Sequence, residues 1–372
     1  MKKKMMSILM TTVMVMALPT AVFAGENDQK NSDADYSSVK IGTIVSNGVD
    51  DGGWGQAQVQ GVKDAAKDLG ISDDNLEWVE NISETGTDCA NAIEGLMADG
   101  CNVIIGASTG YKSTLEQYSK QYPDVQFAQA DGTSMNGNLV GYQIRSYDGM
   151  FVMGYLSALM SNQDSLGYSA CQPEASVIMG LNAFALGAKY ANPDATVRVV
   201  WSNSWYDPTA EADCANSLIS LGIKTMGINA SSPAIPKACE QAGALCTGYH
   251  VDMKDYAPKA VMASYMWNWA PIFEDFLTQF AVSGKPVDAD YYWGADKNCS
   301  TISEINTDIV PEDIEKKTED VYQQIKEDKL NVLAGEIKDN EGNVIVKKGE
   351  VMSDEQSRKM DFLVDNVIGQ LP

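Results

Sequence analysis

Short apolar runs alternate with amphipathic stretches from residue 39 onward, the rhythm of a parallel sheet whose strands are joined by crossover helices. In the first half this pattern predicts strands over 39–46, 76–81, 101–106 and 125–130, separated by helices over 54–69, 88–98 and 111–121. The second half repeats it, with helices over 148–160, 178–190, 209–221 and 234–242 and strands over 165–170, 196–202, 224–228 and 245–249. The expectation is an α/β protein of two similar lobes, each a parallel sheet flanked by helices. The first lobe is expected to span 39–146 and to be completed by about 268–310. The second is expected to span 147–267, completed by part of 311–372.

In open α/β sheets, ligands sit beyond the carboxyl ends of the strands, where the strand-to-helix turns converge. Here those turns are 46–54, 106–111, 130–132, 203–208, 229–233 and 250–253, and they carry the chain's unusual residues. Trp54 follows Asp50-Asp51-Gly52-Gly53, and Trp205 precedes Tyr206-Asp207-Pro208, so each lobe presents one indole at an equivalent turn. Facing one another, two such rings would clamp a flat heteroaromatic molecule, each contributing roughly 1–3 kcal/mol of stacking. Asp51, Asp207 and Asp252 occupy comparable turns. Ionised carboxylates accept hydrogen bonds from ring N–H groups, exocyclic amines or sugar hydroxyls. Asp207 also has a local use, because Asp followed by Pro at the first helical position is a capping arrangement. Asp252 has no such pattern after it and is the stronger ligand candidate. Ser108 and Tyr111 belong to the glycine-rich turn 106–111, whose backbone can approach a ligand closely. Trp267-Asn268-Trp269 is a dense aromatic patch where the chain is expected to return to the first lobe, and both ligand contact and packing between lobes are open to it.

Composition narrows the function. Lys2-Lys3-Lys4, the apolar stretch 5–18, Pro19 and the small-residue site Val22-Phe23-Ala24 read as a secretory signal cleaved before Gly25. An uncleaved membrane anchor is the alternative, disfavoured by Pro19 and the small residues after it. No cysteine precedes Cys89, so no lipid attachment is expected at the cleavage site, and the polar segment 25–38 reads as a flexible tether. Losing three lysines takes the formal charge from -24 to -27, which argues against nucleic acid or an anionic membrane surface as partner. Seven cysteines leave at least one unpaired, with Cys89–Cys101 and Cys239–Cys246 both open as disulfides. His250 is the sole histidine, so a histidine-based metal site or a Ser-His-Asp triad is not expected, and a plain loop role is preferred for it. Neither GxxxxGK[ST], GxGxxG nor a calcium loop occurs, and nothing singles out a catalytic carboxylate pair among 51 acidic residues. A binding protein without cofactor or metal is the expectation, and a nucleoside hydrolase is the enzymatic alternative.

Asp51-Gly52-Gly53-Trp54, the stretch 122–127, Asn182-Ala183-Phe184, Trp205-Tyr206-Asp207-Pro208, the stretch 248–253, Trp267-Asn268-Trp269 and the tail 335–372 follow in order along the mature chain. Together they resemble the basic membrane protein family of substrate-binding proteins for ABC transporters, of the purine-nucleoside receptor type. The resemblance implies a two-lobed periplasmic-binding-protein-like fold of class I type, with hinge crossovers. It further implies an exported monomer that takes a purine nucleobase or nucleoside between its lobes and delivers it to a permease driven by an ATPase. By position, Trp54 and Trp205 match the aromatics that stack on the base, Asp51 a polar contact to it, and Asp252 the carboxylate turned toward ribose; Asn182 joins the binding residues with its motif. One departure falls at Ser264-Tyr265-Met266-Trp267, where nucleoside binders carry a lysine that contacts the sugar. The bulk of Trp267 is expected to fill the sugar space, which makes a free base at least as good a candidate. A second is Gln56 and Gln58, where the nearest-looking branch carries Tyr and His. Riboflavin, a sugar, and service as a ligand-sensing receptor subunit are the alternatives within the same fold.

Overall fold

The computed structural model describes residues 34–133 and 136–372. The expected signal segment and most of the expected tether lie outside the described residues. No described helix is long and apolar enough to cross a membrane.

The first lobe begins with β1 (Ile41–Ile44), α1 (Trp54–Leu69), β2 (Leu76–Val79), α2 (Asp88–Ala98), β3 (Val103–Gly106), α3 (Lys112–Gln121), β4 (Gln126–Ala130) and β5 (Leu139–Ile144). The chain then builds α4 (Tyr147–Met160), β6 (Ser165–Ala170), α5 (Ala175–Ala191), β7 (Thr196–Trp201), α6 (Pro208–Ser220), β8 (Thr225–Ile228), α7 (Ala234–Ala242), β9 (Leu245–His250) and β10 (Val261–Trp267). It returns to the first lobe for α8 (Ala270–Ser283) and β11 (Asp290–Trp293), and finishes on the second with β12 (Ser300–Ile302) and α9 (Glu312–Lys326). A small hairpin of β13 (Ile337–Lys338) and β14 (Val344–Val346), the single turn α10 (Asp354–Ser357) and β15 (Val367–Ile368) follow.

The strands form a six-stranded sheet in the order β11-β5-β4-β3-β1-β2 and a seven-stranded sheet in the order β12-β10-β9-β8-β6-β7-β15. Within these two sheets every pairing is parallel except β10 with β12. β12 already pairs in the second sheet, so the chain leaves the first lobe at 294–299 and not near 310 as the sequence pattern suggested. β15 adds to the far edge of the second sheet beside β7. Asn182, fully buried on α5, belongs to that closure: its amide donates to the Phe362 carbonyl (2.7 Å) and accepts from Val364 N–H (3.0 Å). It is a clamp for the tail, remote from the strand ends.

The core of the second lobe rests on α4 and α5, both buried over nearly their whole length. Glycines set the distance between them. A Cβ on Gly154 would lie 1.9 Å from the Phe184 carbonyl oxygen, and one on Gly187 would lie 1.9 Å from that of Phe151. The seven cysteines are all buried free thiols, so neither candidate disulfide is formed.

Three crossings join the lobes, at 145–146, 268–269 and 294–299. The first and third are tied by charge: Arg145 pairs with Asp296, and Asp148 Oδ2 accepts the Ala295 N–H at 2.8 Å. Burial lifts the Asp148 carboxyl to about 7, with Asp296 and Asp328 pushing the same way and Arg145 and the Ala295 amide opposing. A carboxyl raised on folding holds its proton more tightly in the native state, so native stability falls as pH rises from about 4 to about 7. Asp148→Asn, which keeps an acceptor for Ala295, is expected to match the wild-type melting temperature near pH 4 and to exceed it at pH 8. Thermal melts across that range check this, and parallel curves for the two proteins would refute the assignment.

Candidate functional site

The carboxyl ends of both sheets converge on a narrow cleft of about 570 Å³, solvent at its mouth included. Backbone strain marks the same turns. Four of the six described non-glycine residues with left-handed backbone stand just beyond strand ends: Asn81 after β2, Asp131 after β4, Asn203 after β7, and His250 closing β9. Such conformations persist where surrounding structure holds them, and they concentrate at ligand sites.

Trp54 opens α1 and forms one wall of the cleft. Its Nε1–H donates to the Ala107 carbonyl at 2.7 Å, and its ring meets Trp267 and Trp269 edge-on at 5.6 and 5.5 Å. The turn before it is held by Asp51, whose carboxylate accepts from Gly53 N–H (2.8 Å), Gly55 N–H (3.0 Å) and Gln56 N–H (3.1 Å). Burial raises the Asp51 carboxyl, and those amides pull it back down. Trp205 reaches the same cleft from the second lobe; it is 37% exposed and stacks on no other ring among the described residues. Ser108 lines the cleft and donates its hydroxyl to Glu84.

Trp267 lines the cleft from a parallel stack, with Trp269 at 5.1 Å and His250 at 6.1 Å. His250 and Trp267 also line a second, open groove of about 1150 Å³ together with Asp252 and Gln56. They therefore form the partition between cleft and groove.

The carboxylates are not where the sequence placed them. Asp51 spends both oxygens on its own turn, Asp207 caps α6 through Thr209 and Ala210 N–H (3.0 Å each), and Asp252 accepts from Lys254 N–H (3.0 Å) and faces the groove. Tyr111 is wholly buried, donating to the Ile82 carbonyl at 2.7 Å, and like Asp51, Asp207, Asp252 and Asn182 it does not line the cleft. The acidic groups that do are Asp131 and Glu84. Asp131 Oδ1 is buried without a hydrogen-bond partner among the described residues. Burial pushes its carboxyl up to about 6, against the pull of Ser176, Arg358 and Gln143. The turn 130–132 was flagged by position, but nothing in a lone Asp-Gly distinguished Asp131 from fifty other acidic residues. His250, expected to be a plain loop residue, is buried, left-handed at φ 71° and held neutral, its imidazole pushed down to about 3 by desolvation.

The floor is already satisfied. Asn229 accepts from the Cys171 thiol (2.8 Å) and donates to the Tyr249 hydroxyl (2.8 Å), so its amide is committed to shape. No lysine or arginine lines the cleft among the described residues. Among the described residues the lining offers aromatic faces, the carboxylates of Asp131 and Glu84, and neither lysine nor arginine.

Two largely parallel sheets joined by three crossings, with a lined cleft at their strand ends, define a two-lobed fold of the periplasmic-binding-protein type. A solute-binding protein of an ABC transporter system from Aeropyrum pernix K1 has the same fold, with a TM-score of 0.66 at 16% identity over 81% of this chain and 93% of its own. Residues 38–354 match the Bmp family, described as ABC transporter substrate-binding protein PnrA-like, and the chain belongs to that family of solute-binding proteins. A purine-binding protein of Brucella abortus (strain 2308) is 31% identical over 336 residues, which cover 90% of this chain and 94% of that one. A putative ABC transporter glucose-binding protein of Haloferax volcanii is 26% identical, over 81% of this chain and 74% of its own. Members of such a family act outside the cytoplasmic membrane and work with a permease.

Proposed function

We propose that the protein is an exported, monomeric receptor that binds a free purine base between its lobes and passes it to an ABC permease. The observation that carries this reading is the combination, in one narrow cleft, of an indole from each lobe with Asp131, whose Oδ1 has no hydrogen-bond partner among the described residues. The rings supply stacking faces, and the carboxylate takes a ring N–H or exocyclic amine in a charge-assisted hydrogen bond. The absence of lysine and arginine from the described lining disfavours nucleotides, whose phosphates would sit beside Glu84 and Asp131. The similarity to a purine-binding relative supports the same ligand class.

The base is preferred over the nucleoside because the His250–Trp267 partition closes the side of the cleft on which the Asp252 groove lies. A ribose has no room to continue toward that carboxylate. Calorimetry with adenine, hypoxanthine and guanine is expected to show binding at least tenfold tighter than with adenosine or inosine. Tighter binding of either nucleoside, or binding of glucose or riboflavin in place of the bases, would overturn the reading.

A further inference from the structure

At Gly53 the lobes meet backbone to backbone. In the turn that precedes Trp54, a Cβ on Gly53 would lie 2.3 Å from the Ser231 carbonyl oxygen and 2.7 Å from its Cα. Real Cβ atoms do not come that close, and neither atom belongs to a side chain that can swing away. Both sides of the contact are braced. The Gly53 turn is pinned by the three amides on Asp51, and the Ser231 turn by its neighbour Ser232, whose N–H and hydroxyl both donate to buried Glu211. Beside this contact, Gly52 faces Pro233 and the Tyr256 hydroxyl of the second lobe. Ser231 itself lines the cleft.

We infer that Gly53 and Ser231 form the seat on which the two lobes close, and that Gly53 is a positioning residue for ligand capture: any side chain there holds the cleft ajar. Hinge closure about crossing segments is a motion of few degrees of freedom, so a stop at the cleft mouth sets the closed angle for the whole molecule. Trp54 and Trp205 line the cleft from different lobes, so the closed angle sets their separation. A wedge at residue 53 therefore weakens stacking without removing any group that faces the ligand.

The test places spin labels on exposed positions of each lobe, Asp74→Cys and Asn216→Cys, in the full chain, whose native cysteines are all buried. Pulsed electron resonance is recorded with and without adenine. Wild type is expected to show a short interlobe distance that Gly53→Val never reaches and Gly53→Ala reaches in part. In stopped-flow binding, adenine should leave Gly53→Val at least tenfold faster, with the association rate within about twofold of wild type, a split that local misfolding would not produce. Identical distance distributions in wild type and Gly53→Val would overturn the inference. The binding arm rests on the proposed purine reading, whereas the distance comparison does not: a wild type that ignores adenine would remove that reading and leave the closure seat to be judged from the free proteins.

Discussion

Trp205→Ala is expected to weaken purine binding tenfold or more in calorimetry while leaving the melting temperature of the free protein within about two degrees of wild type. A tenfold loss corresponds to about 1.4 kcal/mol, inside the roughly 1–3 kcal/mol that one stacked ring supplies. The variant is informative because Trp205 is partly exposed and packs on no other ring among the described residues, so its removal leaves no cavity in the core. Trp54→Ala would be a poorer probe, since that indole also carries a hydrogen bond to Ala107 and edge contacts to Trp267 and Trp269. Unchanged affinity in Trp205→Ala would mean that the ligand does not lie against this wall.

The largest effect on stability is expected at the α4–α5 crossing. Gly154→Val should destabilise the protein by about 3 kcal/mol or more in denaturant unfolding, because the new side chain meets a backbone carbonyl at 1.9 Å before any rotamer is considered. The reciprocal contact of Gly187 with Phe151 makes a stronger statement possible. Once one substitution has forced the helices apart, the second meets a gap already opened, so Gly154→Ala combined with Gly187→Ala should cost clearly less than the two single costs added together. Strict additivity would show that the two contacts yield independently and that the helices do not separate as bodies.

The architecture was legible because it is written in periodicity. α1, α2, β6 and α7 begin and end where the apolar pattern put them, and the other elements assigned up to residue 249 differ by one to three residues, while β10 to β15 and α8 to α10 were not assigned at all. β5 was missed although it is buried along its full length: it follows β4 after a short connection without the intervening helix that made the other strands stand out. The site was legible only in part. Indoles at strand ends are rare enough to notice, and Trp54 and Trp205 do face one cleft. Aspartates at strand ends are common because they cap the next helix, and Asp51 and Asp207 do so, while Asp252 braces a short turn. A carboxylate proposed to meet a ligand differs from a capping one by what its oxygens lack, and the absence of a partner for Asp131 Oδ1 among the described residues leaves no trace in one sequence. His250 was passed over for a different reason: a lone histidine with no motif around it reads as a loop residue, and its use as a neutral flat spacer against Trp267 depends on a burial the sequence does not state.

The last strand of the second sheet carries a consequence for the order of events during synthesis. β15 and the segment gripped by Asn182 follow every other strand in the chain, yet they seal an edge formed by β7, some 170 residues earlier. A growing chain can pair β1 to β5 of the first lobe early, although β11 comes later, and the second lobe stays open at the β7 edge until β15 arrives. Closure of the second lobe is thus a non-local step that brings together segments some 170 residues apart, whereas β1 to β5 pair with near neighbours in the chain.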